Sequence, residues 1–123
     1  MSRHSRGDGR LNLSPLQMFG LMLVGHAIAD YPLQGDFIAK AKNRRSPLPG
    51  VPWYQALGAH AIIHGGFVGI ITGSLPLGIA EAVAHAVSDD SKCSGKIGFN
   101  GDQFIHIVTK VVWCTIYFLV VRG

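Results

Sequence analysis

The sequence predicts an all-α protein, a polytopic membrane helical bundle of about four helices. Three observations carry this. Charged residues make up 15% of the 123, where about 25% is usual for a soluble domain. A domain this small has much surface for its volume and needs polar residues to cover it, so the shortage of charge makes lipid part of the solvent. Residues 11–29 and 46–80 contain no Asp, Glu, Lys or Arg. The ionisable groups that do fall in the apolar segments recur every four residues, the spacing that keeps side chains on one helix face. The rival architecture, a soluble four-helix bundle, needs a charged outer face on every helix, and these segments show none.

Taken in order, residues 1–13 read as a flexible basic N-terminus, and residues 14–123 as a single helical membrane domain. Ser14-Pro15-Leu16-Gln17 opens the first helix, over 15–31, as a capping box: Ser at the N-cap, Pro at the first helical position, Gln three after the cap. This start, without a small-residue cleavage site after it, is not that of a signal peptide. Pro32 disfavours the α conformation at the residue before it, so the helix weakens near Tyr31, and a short amphipathic piece follows over 33–40. Residues 43–51 are a Pro/Gly loop. The second helix covers 53–71. Thr72-Gly73-Ser74 is a tight connection that makes the third helix, over 75–90, its antiparallel neighbour. A Gly/Lys loop over 91–101 leads to the fourth helix, over 102–121. A span needs about 20 apolar residues. The second and fourth helices meet this, while the first and third are shorter and more polar. Two Cys without a CxxC pair exclude a disulfide framework; Cys93 is no more than a weak ligand candidate.

The polar residues form stripes. The first helix carries His26 and Asp30, the second His60 and His64, the third Glu81, His85 and Asp89, the fourth Asp102, His106 and Lys110. Ionisable groups on a membrane helix are costly facing lipid and turn into the bundle, so the four stripes should converge. All ten groups fall in the half of the bundle nearest the loops at 43–51 and 91–101. Tyr31, Trp53 and Tyr54 mark the same edge, as an interfacial aromatic belt does. The prediction is a His/carboxylate pocket under a rim of Lys40, Lys42, Arg44, Arg45, Lys92 and Lys96. The net charge of +4 is thus distributed around apolar segments, which argues against nucleic-acid binding.

Imidazole with carboxylate is the donor set for a divalent metal ion such as Zn, Fe or Mn, and ligand pairs on facing helices are how bundles assemble such centres. The expected ligands are His26, Asp30, His60, His64, His85, Asp89 and His106. His60-Ala61-Ile62-Ile63-His64 has the His spacing of a zincin helix, but Ala61 stands where the catalytic Glu belongs. Glu81 and Asp102 are the candidate catalytic groups, taking a proton from water. Asp102 also has an alternative role as a helix cap.

His26-x3-Asp30-Tyr31-x-Leu33-Gln34, Lys40 or Lys42, His60-x3-His64, His85-x3-Asp89-x2-Lys92 and Asp102-Gln103-x2-His106 together resemble the pattern of the domain of unknown function 3307 family, small membrane proteins of bacteria and phages. The resemblance covers roughly residues 15–121 and implies a helical integral membrane protein; the family has no settled activity to carry over. Gln34, Lys40, Lys92, Gln103 and Lys110 are the substrate-binding candidates. The resulting expectation is a metal-dependent hydrolase of the bacterial cytoplasmic membrane acting on an anionic lipid or amphiphile. The alternative is a non-enzymatic membrane protein whose His/carboxylate network conducts protons or ions or scaffolds a partner. Six Lys/Arg on the pocket side against Arg3, Arg6, Arg10 and Arg122 opposite point the pocket to the cytoplasm.

Overall fold

The computed structural model describes residues 11–122. Arg3, Arg6 and Arg10 of the expected basic N-terminus lie outside the described residues. Those described form five helices and no strand: α1 (Pro15–Asp30), α2 (Gly35–Ala41), α3 (Trp53–Thr72), α4 (Leu75–Cys93) and α5 (Phe99–Ile116), the last continuing as a π-helical turn over Tyr117–Val121. The short α2 is the piece between the first two long helices.

Local chemistry sets the ends. At α1 the Ser14 hydroxyl accepts from Gln17 N at 3.2 Å and the Gln17 side chain accepts from Ser14 N at 3.0 Å, a complete capping box. The α1 helix stops at Asp30, two residues before Pro32. Gly35, at φ +61°, then turns the chain into α2. Between α3 and α4, Gly73 takes φ +63°, Thr72 Oγ1 donates to Val68 O, and Ser74 caps α4 through Leu77 N. The α5 helix begins at Phe99, earlier than its predicted start, with Gly98 as N-cap. Asp102 therefore sits inside the helix and does not cap it.

The interface of α3 with α4 is the most extensive in the bundle. Here the helices touch backbone to backbone. A Cβ added to Gly65 would lie 2.5 Å from Gly78 O and 2.9 Å from the Ala82 methyl, and one added to Gly78 would lie 2.9 Å from Gly65 O. Only glycine fits, as at close helix crossings in lipid.

The interior is divided along its axis. At the end holding the α3–α4 turn, Met18, Met22, Val68, Ile71, Leu77, Cys114 and Tyr117 form an apolar core. Toward the other end the buried polar side chains are His26, His60, His64, Glu81, His85, Asp89, Asp102, His106 and Lys110, joined by Lys42. The outside is the reverse: Leu16, Val24, Ile62, Ile70, Leu75, Val83, Val87, Phe104 and Leu119 are exposed. Two helices, Trp53–Thr72 and Phe99–Val121, are long and apolar enough to cross a membrane. At 1.5 Å per residue α1 is about 24 Å long, short of the roughly 30 Å hydrocarbon core.

A candidate metal centre at Asp30

Each stripe is delivered by its helix register. Steps of four residues place Asp30 one turn beyond His26, His64 one turn beyond His60, His85 between Glu81 and Asp89, and His106 between Asp102 and Lys110. The close α3–α4 contact at Gly65 then brings the neighbouring His64 against His85, with ring centroids 3.5 Å apart and planes within 16°. His106 stacks on the other side of His85 at 4.2 Å, and His26 completes the cluster at 5.0 Å from both His64 and His106. The five imidazoles expected to converge form one connected cluster, His60 joining it through His64 and His85.

Asp30 is their hub. Its Oδ1 lies 2.9 Å from His64 Nε2, 3.2 Å from His60 Nε2 and 3.9 Å from His85 Nε2. Its Oδ2 lies 3.1 Å from His26 Nε2 and accepts from Gln103 Nε2 at 3.3 Å. Gln103 Oε1 in turn lies 3.1 Å from His26 Nε2. Asp30, His60, His64 and His85 can each turn one ligand atom into a common space, all within 4.8 Å of one another, and so can His26, His85 and His106.

The remaining carboxylates are committed differently. Glu81 accepts from Lys110 Nζ and from Trp113 Nε1, each at 2.5 Å, and its Oε1 stands 3.7 Å from His85 Nδ1. Asp89 is held by Lys42 Nζ at 2.6 Å and Lys92 Nζ at 3.2 Å, farther from His60 Nε2 at 3.6 Å and His85 Nε2 at 4.0 Å. Asp102 Oδ1 lies 3.1 Å from His106 Nε2, and its Oδ2 lies 3.6 Å from Lys92 Nζ. Among the described residues, Asp30 is the one carboxylate of the cluster without a lysine or arginine within 4.0 Å. A buried charge needs a partner, and around Asp30 the partners are imidazoles and one amide.

Many of those imidazoles lack partners of their own. Both ring nitrogens of His60 and of His85, Nδ1 of His26, Nε2 of His106 and both oxygens of Asp102 are buried without an aligned hydrogen bond. Several are close to an oppositely polar atom, as His60 Nε2 is to Asp30, but the directions do not match. Buried polar groups in native proteins are overwhelmingly satisfied, and this cluster of unpartnered donors and acceptors coincides with the two groups that could hold a metal ion.

A cleft of about 280 Å³ reaches this cluster from the α1–α2 turn. Asp30 and Gln103 line its inner end, and Tyr31, Gln34, Lys92 and Phe99 its walls. Gln34 donates to Asp30 O at 3.2 Å and accepts from Lys42. Three of the expected substrate-binding residues, Gln34, Lys92 and Gln103, thus line the cleft.

The placement of four candidates differs from expectation. Lys110 is buried against Glu81 and does not reach the cleft. Lys40 is exposed on α2 outside it, and its neighbour Lys42 is the lysine that enters the cluster. Asp89 lies outside both candidate ligand sets, taken by two lysines. Glu81 is tied to Lys110 and Trp113, which suits orienting His85 better than accepting a proton from water. Asp102, whose oxygens have no aligned hydrogen bond and only a longer contact to Lys92 at 3.6 Å, is the better acceptor. Two participants went unassigned in the sequence. Lys42 reads as a rim charge, although the small Ala41 beside it marks a buried turn of α2. Trp113 reads as bulk apolar, although it stands three residues after Lys110 on the same face.

Comparison of the chain with family models, curated proteins and solved structures finds no match.

Proposed function

We propose that this chain is a multi-pass protein of the bacterial cytoplasmic membrane, belonging with the domain of unknown function 3307 proteins, and that it binds divalent metal at Asp30 and hydrolyses an anionic lipid or amphiphile. One observation carries the metal: three imidazole Nε2 atoms within 3.9 Å of a single carboxylate oxygen, amid buried ring nitrogens without partners. A carboxylate oxygen has two lone pairs, so it cannot accept from three rings in good geometry. A cation among them satisfies all at once. The donor set suits Zn, Fe or Mn. The polar interior and apolar exterior support the membrane reading, since lipid-facing side chains must be apolar and ionisable groups must turn inward.

A bound ion supplies electrophilic polarisation of an ester or phosphoryl oxygen. The chain's own residues supply the rest. Lys92, one quarter exposed at the cleft wall, attracts the anionic head. Tyr31 and Phe99, exposed at the mouth, suit an apolar tail lying in the interface. Gln103 holds Asp30 and His26 in register. Asp102 takes the proton from water. Glu81, fixed by Lys110 and Trp113, orients His85 from behind, as carboxylates do for ligating histidines.

The test is metal analysis of protein extracted in mild detergent. We expect at least one equivalent of transition metal, lost on Asp30→Ala and His64→Ala. Less than one equivalent, with no rebinding of added Zn, Fe or Mn, rejects the proposal. Release of the chain from membranes by salt or alkali without detergent rejects its membrane part.

A further inference from the structure

We infer that the centre holds two metal ions side by side, with Asp30 spanning them through its two oxygens. This rests on the metal reading above and goes further in number and arrangement. The two candidate ligand sets are different: one is Asp30, His60, His64 and His85, the other His26, His85 and His106. They meet at His85, so the two positions are adjacent, as in two-metal sites where the ions lie about 3.5–4 Å apart.

Asp30 has the geometry of a bridge. Oδ1 faces the first set, at 2.9 Å from His64 and 3.2 Å from His60, while Oδ2 faces His26 at 3.1 Å. Each oxygen thus meets its own imidazoles, with Gln103 Nε2 also donating to Oδ2 at 3.3 Å. His85 serves one ion, because its Nδ1 is turned to Glu81 at 3.7 Å and only Nε2 faces Asp30. We assign it to the first position with His60 and His64. The second then keeps His26 and His106 of its set, with Asp30 Oδ2 3.1 Å from His26 Nε2 and Asp102 Oδ1 3.1 Å from His106 Nε2 as the nearest carboxylate oxygens. The unpartnered atoms fall in both halves: His60 and His85 in the first, His26 Nδ1, His106 Nε2 and the Asp102 oxygens in the second. One ion in the first position leaves the second half unsatisfied.

Charge gives the arrangement a consequence. Glu81 and Asp89 are paired with lysines at 2.5 and 2.6 Å and Asp102 has Lys92 at 3.6 Å, so at most two carboxylates, Asp30 and Asp102, face two divalent ions. The centre is left with net positive charge beneath a cleft whose wall carries Lys92, which selects an anionic ligand such as a phosphate ester.

The experiment uses the full chain in detergent, loaded with Mn or Zn and freed of excess ion. Expected are two equivalents in the wild type, about one in His106→Ala and in His60→Ala, and an exchange-coupled pair in the electron paramagnetic resonance spectrum of the Mn form. One equivalent with an uncoupled spectrum overturns the two-ion arrangement while leaving the metal centre standing. No binding at all overturns both. Two equivalents retained in His26→Ala and His106→Ala alike also overturn it, since the second ion would then lie elsewhere. Circular dichroism checks that each variant keeps its helices; the spectrum of the wild-type Mn form decides the matter even if a variant does not fold.

Discussion

Substituting Gly65 by Ala tests whether the α3–α4 approach sets the metal centre. The added Cβ would stand 2.5 Å from Gly78 O and 2.9 Å from the Ala82 methyl. Ordinary contact begins near 3.4 Å, so the two helices must separate by about 0.9 Å at this level, against the roughly 0.2 Å tolerance of a metal–ligand distance. The displaced turn carries His64, whose ring sits 3.5 Å from that of His85. Overpacking costs about 1–3 kcal/mol, and Ala in place of a helical Gly returns about 0.8–1.0 kcal/mol, so the fold should survive. Metal affinity should fall by at least the ~10–100-fold typical when support for a ligand is lost. Gly66→Ala is the control, because a Cβ there meets nothing within 4 Å. Competition with a chromogenic chelator reads the affinity, and thermal unfolding in detergent reads the stability. Equal metal affinity in the two variants would refute the claim that this crossing positions the imidazoles.

Further outcomes follow from the ion pairs, the cleft and the cap. Lys110→Met leaves Glu81 buried without its cation and should cost about 3–5 kcal/mol of stability, whereas the double variant Lys110→Met with Glu81→Leu should cost markedly less; a double-mutant cycle on thermal unfolding reads the difference. Lys92→Ala should weaken binding of inorganic phosphate or phosphatidate vesicles several-fold and Asp36→Asn should strengthen it, both with metal content unchanged, since these charges line the same cleft; flotation or calorimetry measures this. Chelation should lower the midpoint of thermal unfolding, because an ion bound only by the folded state stabilises it by mass action. Ser14→Ala removes the α1 capping box and should cost about 1 kcal/mol without changing metal content.

Much of the helical order was legible because it rests on local rules. The Ser14-Gln17 box, Pro32 and the Thr72-Gly73-Ser74 turn are short-range signals, and each marks a helix end. The clustering of His26, His60, His64, His85 and His106 was also legible, since intervals of four leave each helix one polar face on an otherwise apolar body, and that face can only turn inward. The sequence carries partner choice within the cluster only in part: it offers Glu81 for Lys110 and Lys92 for Asp89, and both pairs form, but it does not bring in Lys42. Four acids and three lysines can pair in several ways, and the pairing that forms depends on helix rotations and on α2, whose placement follows from a left-handed Gly35. This is why Lys42 went unassigned while Lys40 was expected, and why Asp89, at the same spacing from His85 as Asp30 is from His26, ends on two lysines. The early start of α5 has a similar origin: Gly98 caps it, and no hydrophobic period marks Phe99–Gly101.

The distribution of lysines also separates the metal reading from a purely structural network. Interhelical polar contacts in membranes are individually modest, about 0.6 kcal/mol on average, so a network evolved for packing alone would be expected to pair its charges fully. Glu81 with Lys110 and Asp89 with Lys42 do so at 2.5 and 2.6 Å. Asp30 does not, although it is the carboxylate most surrounded by side chains from other helices. The acid without a lysine and the imidazoles without aligned partners coincide in space, which supports the proposed cation, a species that accepts lone pairs from both.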